Sequence, residues 1–329
     1  MIITKTPFRM SFVGGGSDLP SYYLKEEGRV ISTSINKYMY ISIHKKFFKN
    51  IRINYSTTEE VDDISKIDHP IVRETLKYLK INEAIEISSL ADIPSRGSGL
   101  GSSSSYAVGL IHALCLYKKI NISNAQLAET AFMIESELCE TPVGKQDQYA
   151  ASFGGMNEYT FKPDGNVDVK HIEVSSDNYD KLSHSILMFY TGLTRKSSKP
   201  LKDLVENLNS NKLKRDCIRD MSILCDDFKD NMINGDIRAL GQILDENWKL
   251  KKSLSKIISS DYIDDLYKKG LKAGAFGGKV LGAGNGGFIM FIVPEDKIYP
   301  VKEALKELKT VDIKFEKLGT QQIFNDNDE

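Results

Sequence analysis

Half of the glycines in this chain fall in three short stretches, and these stretches contain residues whose types and spacing could do chemistry. Twelve of the 24 glycines lie within 14–16, 97–101 and 277–287, where sharp turns or close backbone approaches are expected. The middle stretch, 94–105, joins an apolar strand to an apolar helix. Backbone N–H groups at a helix start, the positive end of the helix dipole and serine hydroxyls together bind anions. The sequence therefore predicts a phosphate-binding loop here rather than a Ser/Gly linker.

Two common nucleotide-binding motifs do not account for these stretches. A GxxxxGK[ST] loop is absent, because the nearest match, around Lys279, has Ala273 where the first glycine should be and Val280 after the lysine. A GxGxxG pattern occurs at 282–287, but it precedes a predicted strand, whereas the dinucleotide fingerprint precedes a helix. A Rossmann-type site is therefore not predicted.

Glu135 lies near the apolar side of a helix predicted over 123–138. At about 100° per residue, it falls about 60° from the centre of a stripe of apolar side chains. This stripe comprises Leu127, Ala131, Ile134 and Leu138. Because a buried charge needs a partner, Glu135 is expected either to meet a metal ion or an arginine, or to lie half-exposed at the edge of the stripe.

Two further carboxylates and one arginine are candidates for a site. Asp147 follows the turn at Pro142 and precedes a run of small residues, so it is either a functional group or a helix N-cap. Arg9 lies in a predicted strand, and Asp18 follows the triple-glycine turn. The alternative for these two residues is a hairpin turn with a surface arginine.

The composition limits the classes of protein to which the chain can belong. Its 329 residues, 41% hydrophobic and 27% charged, suggest about two globular domains. With 44 Lys+Arg against 45 Asp+Glu, the net charge of −1 argues against a general nucleic-acid or membrane-surface binder. The four cysteines have no CxxC spacing, so reduced thiols are expected. The N-terminal residues lack the apolar core of a signal peptide, which predicts a cytoplasmic protein.

Local patterns predict a mixed α+β protein without internal repeats. Strands are expected at 2–12, 30–35, 38–43, 51–55, 84–90, 156–161, 185–191, 288–293 and 311–315. Helices are expected at 70–79, 103–116, 123–138, 199–233, 236–254, 260–269 and 297–308. A boundary is expected between 175 and 200, and placing it at 180 gives domains 1–180 and 181–329.

Taken together, the glycine-rich stretches resemble the three signatures of the GHMP kinase superfamily. The first is Pro7-Phe-Arg9, continued by Gly-Gly-Gly-Ser-Asp18. The second is Pro94-x-x-Gly-x-Gly-Leu-Gly-Ser-Ser103. The third is Lys279-Val-Leu-Gly-Ala-Gly-Asn-Gly-Gly287. They occur in the family's order and across nearly the whole chain.

Two further segments narrow the resemblance. Pro142-Val-Gly-Lys-Gln-Asp-Gln-Tyr149 and Tyr190-Thr-Gly-Leu-Thr-Arg195 are similar to the branch that phosphorylates D-glycero-D-manno-heptose 7-phosphate. That branch implies an ATP- and Mg²⁺-dependent transfer to the anomeric C1 hydroxyl, which gives the 1,7-bisphosphate for nucleotide-heptose and surface-polysaccharide biosynthesis. The alternatives are a kinase for another sugar such as fucose, a non-catalytic sugar or nucleotide sensor of this fold, and a dinucleotide-dependent oxidoreductase.

The resemblance also implies a fold and a set of residue roles. The fold is α+β with two domains, the first ribosomal-S5-like and the second ferredoxin-like, and the site lies between them. Asp147 would take the proton of the sugar hydroxyl beside Arg9, and a metal ion would be bound by Ser103 and Glu135. The ATP phosphates would be held by Pro94, Arg96, Gly97, Ser98, Gly99, Leu100, Gly101, Ser102, Ser103 and Ser104. The substrate would contact Gly15, Gly16, Ser17, Asp18, Gln146, Arg195, Gly284, Asn285 and Gly286.

A substrate that already carries a phosphate needs a second anion site. Arg195 and Lys196 are the main candidates for that site, and Lys5 and Arg96 are further candidates; the alternative for each is a solvated basic residue. The expected partners are ATP and a small sugar phosphate, without nucleic acid or membrane, in a monomer or a homodimer.

Overall fold

The described part of the chain folds into two sheets with helices packed on them. The computed structural model describes residues 1–94, 97–193 and 211–326. Within these ranges the strands are β1 (Ile2–Val13), β2 (Gly28–Lys45), β3 (Ile51–Asn54), β4 (Thr58–Val61), β5 (Ile85–Ala91), β6 (Met156–Phe161), β7 (Val167–His171), β8 (Ile186–Tyr190), β9 (Gly277–Val280), β10 (Phe288–Ile292), β11 (Lys309–Thr310), β12 (Phe315–Glu316) and β13 (Gln321–Asn325).

The helices have amphipathic or fully apolar sequences, and several begin at a capping side chain. In the described ranges the α-helices are α1 (Pro20–Tyr23), α2 (Pro70–Tyr78), α3 (Ser102–Tyr117), α4 (Asn124–Met133), α5 (Gln146–Phe153), α6 (Ser176–Ser185), α7 (Lys212–Asn234), α8 (Ile237–Leu254), α9 (Asp261–Lys272) and α10 (Ile298–Ala304). The capping box predicted from Ser123 and Gln126 is present at the start of α4. None of these helices is long and apolar enough to cross a lipid bilayer.

Among the residues described, the larger sheet has nine strands and is organised around the antiparallel pair β1 and β2. Its main order is β13-β1-β2-β5-β3-β4, with β12 and β6 also paired to β2 and β7 paired to β6. The smaller sheet has the antiparallel order β11-β8-β10-β9. One hydrophobic core contains residues of both sheets, including Met188 and Met290 of the smaller one, and a second core lies on the smaller sheet. Phe12 and Leu110 belong to the first core, and Trp248 and Phe291 belong to the second.

The end of the chain returns to the larger sheet. After the smaller sheet, β12 pairs with β2 at Phe315 and Ile35, and β13 pairs antiparallel with β1 from Ile2 to Lys5. Residues 315–325 therefore pack on the first half of the sequence. The strand that carries Arg9 is held between β13 on one side and β2 on the other.

The second strand is continuous where the sequence predicted two strands. Pro7 pairs with Tyr38, whereas the next residue, Phe8, pairs with Ile35, so Asn36-Lys37 form a bulge. A bulge leaves residues unpaired but does not end the strand. The polar pair that interrupted the alternation in the sequence is therefore a local irregularity in β2.

The helix predicted over 123–138 changes its winding before it ends. After α4, Ile134–Leu138 forms a π-helical turn, closed by a hydrogen bond of 2.9 Å from the Cys139 N–H to the Ile134 carbonyl. This wider turn shifts the side chains that follow it. Leu138 is 43% exposed, so its assignment to the buried stripe was wrong, and Glu135 is only 2% exposed.

Other elements differ from the sequence prediction near the two sheets. The strand predicted at 311–315 was wrong: strand structure is limited to β11 and β12, and Val311 and Ile313 between them pack against the core. The Val311 N–H still donates to the Met188 carbonyl of β8 at 2.8 Å. Elements α1, α5, β4 and β9 were not predicted, and neither were β7, α6 and β13. The last three contain many polar residues, so their apolar periodicity is weak.

Candidate active site

Arg9 and Asp147 form a bidentate ion pair at the centre of the site. Arg9 Nε donates to Asp147 Oδ1 at 2.7 Å, and Nη2 donates to Oδ2 at 2.8 Å. Arg9 is 3% exposed on β1, whereas Asp147 lies in the first turn of α5 with 24% of its side chain exposed. Paired N–H groups on a carboxylate fix the orientation of both side chains. Each carboxylate oxygen keeps a second acceptor position.

The loop 97–101 is attached directly to this ion pair. The Arg9 N–H donates to the Leu100 carbonyl at 3.1 Å, and Arg9 Nη1 donates to the Gly99 carbonyl at 2.6 Å. Gly101 is the N-cap of α3 with a φ of +73°, and a Cβ there would lie 3.3 Å from Asp147 Oδ2. The first N–H groups of α3 therefore lie beside the carboxylate, at a helix start suited to a bound anion.

The third glycine-rich stretch packs backbone to backbone on the same loop. A Cβ on Gly99, whose φ is +78°, would lie 2.3 Å from the Leu281 carbonyl oxygen. A Cβ on Gly287, whose φ is +84°, would lie 2.2 Å from the Ser98 carbonyl oxygen. Only glycine permits approaches this close. Residues 281–287 therefore support the loop from the side of the smaller sheet.

Glu135 is a buried carboxylate next to the start of α3. Gln148 Nε2 donates to Glu135 Oε2 at 2.7 Å. Burial raises the pKa of Glu135 to about 6, although hydrogen bonds from Ser104, Gln148 and Ser103 oppose the shift. The nearby Asp147 carboxylate raises this pKa further. Within the described ranges Glu135 forms no ion pair with a basic side chain, so the charge that would balance it is not supplied by these residues.

Asp18 follows the triple-glycine turn and faces the same cavity as Asp147. Its Oδ1 accepts a hydrogen bond from the Gly16 N–H at 2.9 Å, and its Oδ2 accepts one from the Gln146 N–H at 3.4 Å. Burial raises the pKa of Asp18, and the carboxylate of Asp147 raises it further, against the lowering effect of these hydrogen bonds. The turn thereby joins Asp18 to the segment that carries Asp147.

A cavity of about 840 Å³ connects these groups. Its polar end is lined by Arg9, Ser11, Asp18, Asp147, Lys251 and Lys279. Residues 97–99 and 101–103 also line it, and so do aromatic rings, among which His69 stacks on Tyr106 with centroids 4.9 Å apart. A cavity of this size can hold a nucleotide together with a small acceptor.

Several of the residues predicted for the site do not line the cavity. Ser17 is fully buried and donates to the Gly14 and Arg29 carbonyls, and Leu100 and Ser104 are buried behind the loop. Gly284, Asn285 and Gly286 also lie outside the cavity lining, as does the exposed Pro94. The Asn285 N–H is bonded to the Ile258 carbonyl, and Gly286 packs on Leu193. Arg96, Arg195 and Lys196 lie outside the described residues.

The remaining predicted residues lie together. Gly15, Gly16, Asp18 and Gln146 line the polar end of the cavity, and Gly97, Ser98, Gly99, Gly101, Ser102 and Ser103 also line it. The side-chain oxygen of Gln146 is buried and has no hydrogen-bond partner among the described residues. Lys5 stacks over the Tyr38 ring at 4.3 Å and does not line the cavity.

Sequence reasoning missed several side chains of the site, including the rings of Tyr55, His69 and Tyr106 that line the cavity. Ser11 lies two residues after Arg9 on the same face of β1, so strand periodicity could have indicated it. Gln148, the partner of Glu135, lies beside Asp147 in the sequence. Lys251 and Lys279 gave no such signal, because a lysine in a helix or strand is ordinarily solvated.

Comparisons with known proteins agree with this architecture. Residues 70–155 match the GHMP kinases N terminal domain, and residues 228–309 match the GHMP kinases C terminal domain. The chain is 30% identical over 321 residues to the D-glycero-alpha-D-manno-heptose 7-phosphate kinase of Campylobacter jejuni, with 93% of each chain covered.

Two solved structures have the same fold. One is a D-glycero-D-manno-heptose 1-phosphate kinase from Bacteroides thetaiotaomicron, with a TM-score of 0.79, 24% identity and 99% of each chain covered. The other is a putative sugar kinase from Campylobacter jejuni, with a TM-score of 0.76 and 28% identity over 98% of this chain and 97% of that one.

The two sheets, the glycine-rich loop at a helix start and the adjoining ion pair define a phosphotransferase that acts on a small molecule. The chain belongs to the GHMP kinase family. It is an ATP-dependent sugar kinase of the two-domain α+β fold, as the sequence signatures predicted.

Proposed function

We propose that this sugar kinase transfers the γ-phosphoryl group of ATP to the anomeric C1 hydroxyl of D-glycero-D-manno-heptose 7-phosphate. The observation that carries the proposal is the Asp147 carboxylate, held by two hydrogen bonds from Arg9 next to Gly101 of the phosphate loop. The choice of sugar is supported by the similarity to the heptose 7-phosphate kinase over 93% of both chains. The product would be the 1,7-bisphosphate, used for nucleotide-heptose and surface-polysaccharide biosynthesis.

Phosphoryl transfer requires mainly positioning and neutralisation of charge. In the proposed reaction Asp147 accepts the proton of the C1 hydroxyl while Arg9 orients both of its oxygens. The N–H groups at the start of α3 and the hydroxyls of Ser102 and Ser103 bind the phosphates of ATP. Asp18 and Gln146 hold hydroxyl groups of the sugar, because both line the cavity next to Asp147 and are joined by a hydrogen bond.

The aromatic rings that line the cavity suit the base of the nucleotide. These are the rings of Tyr55, His69 and Tyr106, and they offer faces and edges for stacking. A nucleotide whose phosphates lie at 97–103 and whose base lies among these rings would leave the end near Asp18 open for the acceptor.

The residues present also fit a magnesium ion. Mg²⁺ is usually held by one or two carboxylates together with substrate phosphates. Glu135 is a buried carboxylate without a cationic partner among the described side chains, and Ser103 donates a hydrogen bond to it from the cavity lining. We therefore propose Glu135 and Ser103 as the residues that would hold the ion, which would supply positive charge at the ATP phosphates.

The pKa of Glu135 predicts how magnesium binding depends on pH. The folded-state pKa of about 6 lies above the ordinary value of 4.5. The protonated carboxyl therefore stabilises the folded apoprotein below pH 4.5, and this contribution to the free energy of unfolding is lost as the pH rises through 6. Mg²⁺ binds the ionised form. We expect the Mg²⁺ needed to bind the ATP analogue AMP-PNP to rise as the pH falls below about 6.

Glu135→Gln tests this assignment. We expect the variant to need about 10-fold more Mg²⁺, or more, for AMP-PNP binding, and to lose most of the dependence between pH 5 and 7. Glu137→Gln is the matched control, because Glu137 lies in the same π-helical turn but is exposed. An unchanged Mg²⁺ requirement in Glu135→Gln, measured by calorimetry, would exclude this residue from the metal site.

The domain division at 180, a monomeric or homodimeric state and a cytoplasmic location complete the proposal. The division falls within α6, shortly before β8 begins the smaller sheet, and residues 315–325 then return to the larger sheet. A cytoplasmic location fits an enzyme that uses ATP.

A coupled ADP-release assay over a panel of sugars tests the proposed substrate. The panel contains heptose 7-phosphate, free heptose and fucose, and the phosphorylated position is determined by NMR. We expect kcat/KM to be highest for heptose 7-phosphate, with a new phosphate on C1. A higher value for fucose, or phosphate on another carbon, would contradict the proposal.

A further inference from the structure

Lys279 is a buried lysine at the polar end of the cavity. It belongs to β9, is 1% exposed and lines the cavity. Among the described residues, Lys279 Nζ makes one hydrogen bond, to the Phe12 carbonyl at 2.6 Å, and pairs with no carboxylate. An ammonium group has three N–H donors. A buried cation with one neutral partner is costly, so this position is suited to an anion that enters the cavity.

Positive charge is concentrated around this group. Lys251, on α8, is 8% exposed, lines the same cavity and donates to the Gly282 carbonyl. Burial lowers the pKa of Lys279 well below its usual range, and repulsion from Lys251 and Arg9 lowers it further. Arg9 is balanced by Asp147. An anion between the two lysines would relieve their repulsion and restore the charge on Lys279.

The lysines lie between the turn 14–16 and the phosphate loop, because Gly282, which accepts from Lys251, packs on Gly99. Phe12 immediately precedes Val13 and the triple-glycine turn that leads to Asp18. One helical turn before Lys251, Asn247 Oδ1 accepts a hydrogen bond from the Gly14 N–H at 3.3 Å. Helix α8 thus contacts the triple-glycine turn through Asn247. It contacts Gly282 through Lys251, which lies four residues later on the same face of the helix.

We propose that Lys251 and Lys279 form a second anion-binding subsite, which takes the phosphate that the acceptor already carries. This inference rests on the proposed function for the identity of the acceptor, but the subsite itself follows from the two buried ammonium groups. It would select a phosphorylated sugar over the same sugar without phosphate. A substrate that already carries a phosphate needs a second anion site, and these two lysines would supply one within the described part of the chain.

Binding of inorganic phosphate tests the subsite without any assumption about the sugar. Calorimetric titrations with phosphate are made on the full chain saturated with Mg²⁺ and AMP-PNP, so that the nucleotide phosphate positions are filled. We expect wild-type protein to bind phosphate, and Lys279→Gln and Lys251→Gln to bind it at least about 10-fold more weakly with unchanged AMP-PNP affinity. The control is Lys249→Gln, in the same helix with 70% of its side chain exposed, which should bind phosphate like the wild type.

A second arm compares acceptors. In the lysine variants, kcat/KM should fall about 10²-fold with heptose 7-phosphate but much less with free heptose. Equal losses with both acceptors, or no phosphate binding by the wild type, would overturn the subsite.

If Lys279→Gln does not fold, Lys279→Met keeps the buried volume. On wild-type protein alone, phosphate must compete with heptose 7-phosphate. Phosphate binding that depends on both lysines, without turnover of heptose 7-phosphate, would instead refute the proposed substrate and leave the subsite standing.

Discussion

Replacing Asp147 by asparagine is expected to lower kcat by about 10²-fold or more while nucleotide binding is largely kept. Asparagine has almost the shape of aspartate, but its amide cannot take up the proton of the sugar hydroxyl. One amide nitrogen would also face the Arg9 guanidinium, where both carboxylate oxygens now accept hydrogen bonds at 2.7 and 2.8 Å. The measurements are steady-state kcat with the best acceptor and the Kd of AMP-PNP.

The matched control for this variant is Asp265→Asn. Asp265 also forms an ion pair, with Lys269 at 3.2 Å, but 61% of its side chain is exposed on α9. Its replacement should leave kcat and nucleotide binding unchanged. Turnover of Asp147→Asn close to that of the wild type would show that another group accepts the proton.

Gly99→Ala is expected to have the second-largest effect, a fall of about 10²-fold in kcat/KM for ATP. A Cβ on Gly99 would lie 2.3 Å from the Leu281 carbonyl oxygen, so the phosphate loop and residues 281–287 would have to separate. The same displacement would disturb Arg9, which donates to the Gly99 carbonyl. The loop amides would then no longer be held beside Asp147.

Gly165→Ala separates this effect from backbone strain. Gly165 has a φ of +86°, close to the +78° of Gly99, but a Cβ there would meet nothing within 4 Å. Both variants should lose about 1–2 kcal/mol of stability from the left-handed conformation, measured by chemical unfolding. Only Gly99→Ala should lose kcat/KM for ATP. Equal kinetic losses in the two variants would mean that the contact between the loop and the smaller sheet is not needed for nucleotide use.

The parts of the site that follow one another in sequence could be predicted well. The loop 97–103 has its strand, glycines and helix start within a few residues, so its local conformation depends on local chemistry. The triple-glycine turn before Asp18 is similar in this respect. By contrast, Gly284, Asn285 and Gly286 have the same residue types as a binding loop, yet they pack on Ile258 and Leu193. A glycine in the sequence indicates that the backbone approaches another group closely, but it does not identify that group.

The parts that depend on contacts between distant segments could not be predicted from spacing alone. The Arg9–Asp147 pair joins residues 138 positions apart, and only the family resemblance brought them together. Glu135 is buried because it lies in a π-helical turn, which no residue pattern in the sequence predicts. Lys279 resembles any charged residue in a strand, because its burial arises from helix α8 and the end of β1 closing around it.

The return of the last described strand to β1 has a consequence for how the molecule assembles. Ile2 pairs with Asn325, so one of the neighbours of the strand that carries Arg9 is translated more than 300 residues after it. Until then the outer backbone groups of β1 form an open edge that can pair with another chain. Pairing over such a separation also slows folding. The pairing of β1 with β13 is therefore a late step in folding. A nascent or C-terminally shortened chain would be prone to association through the open edge of β1.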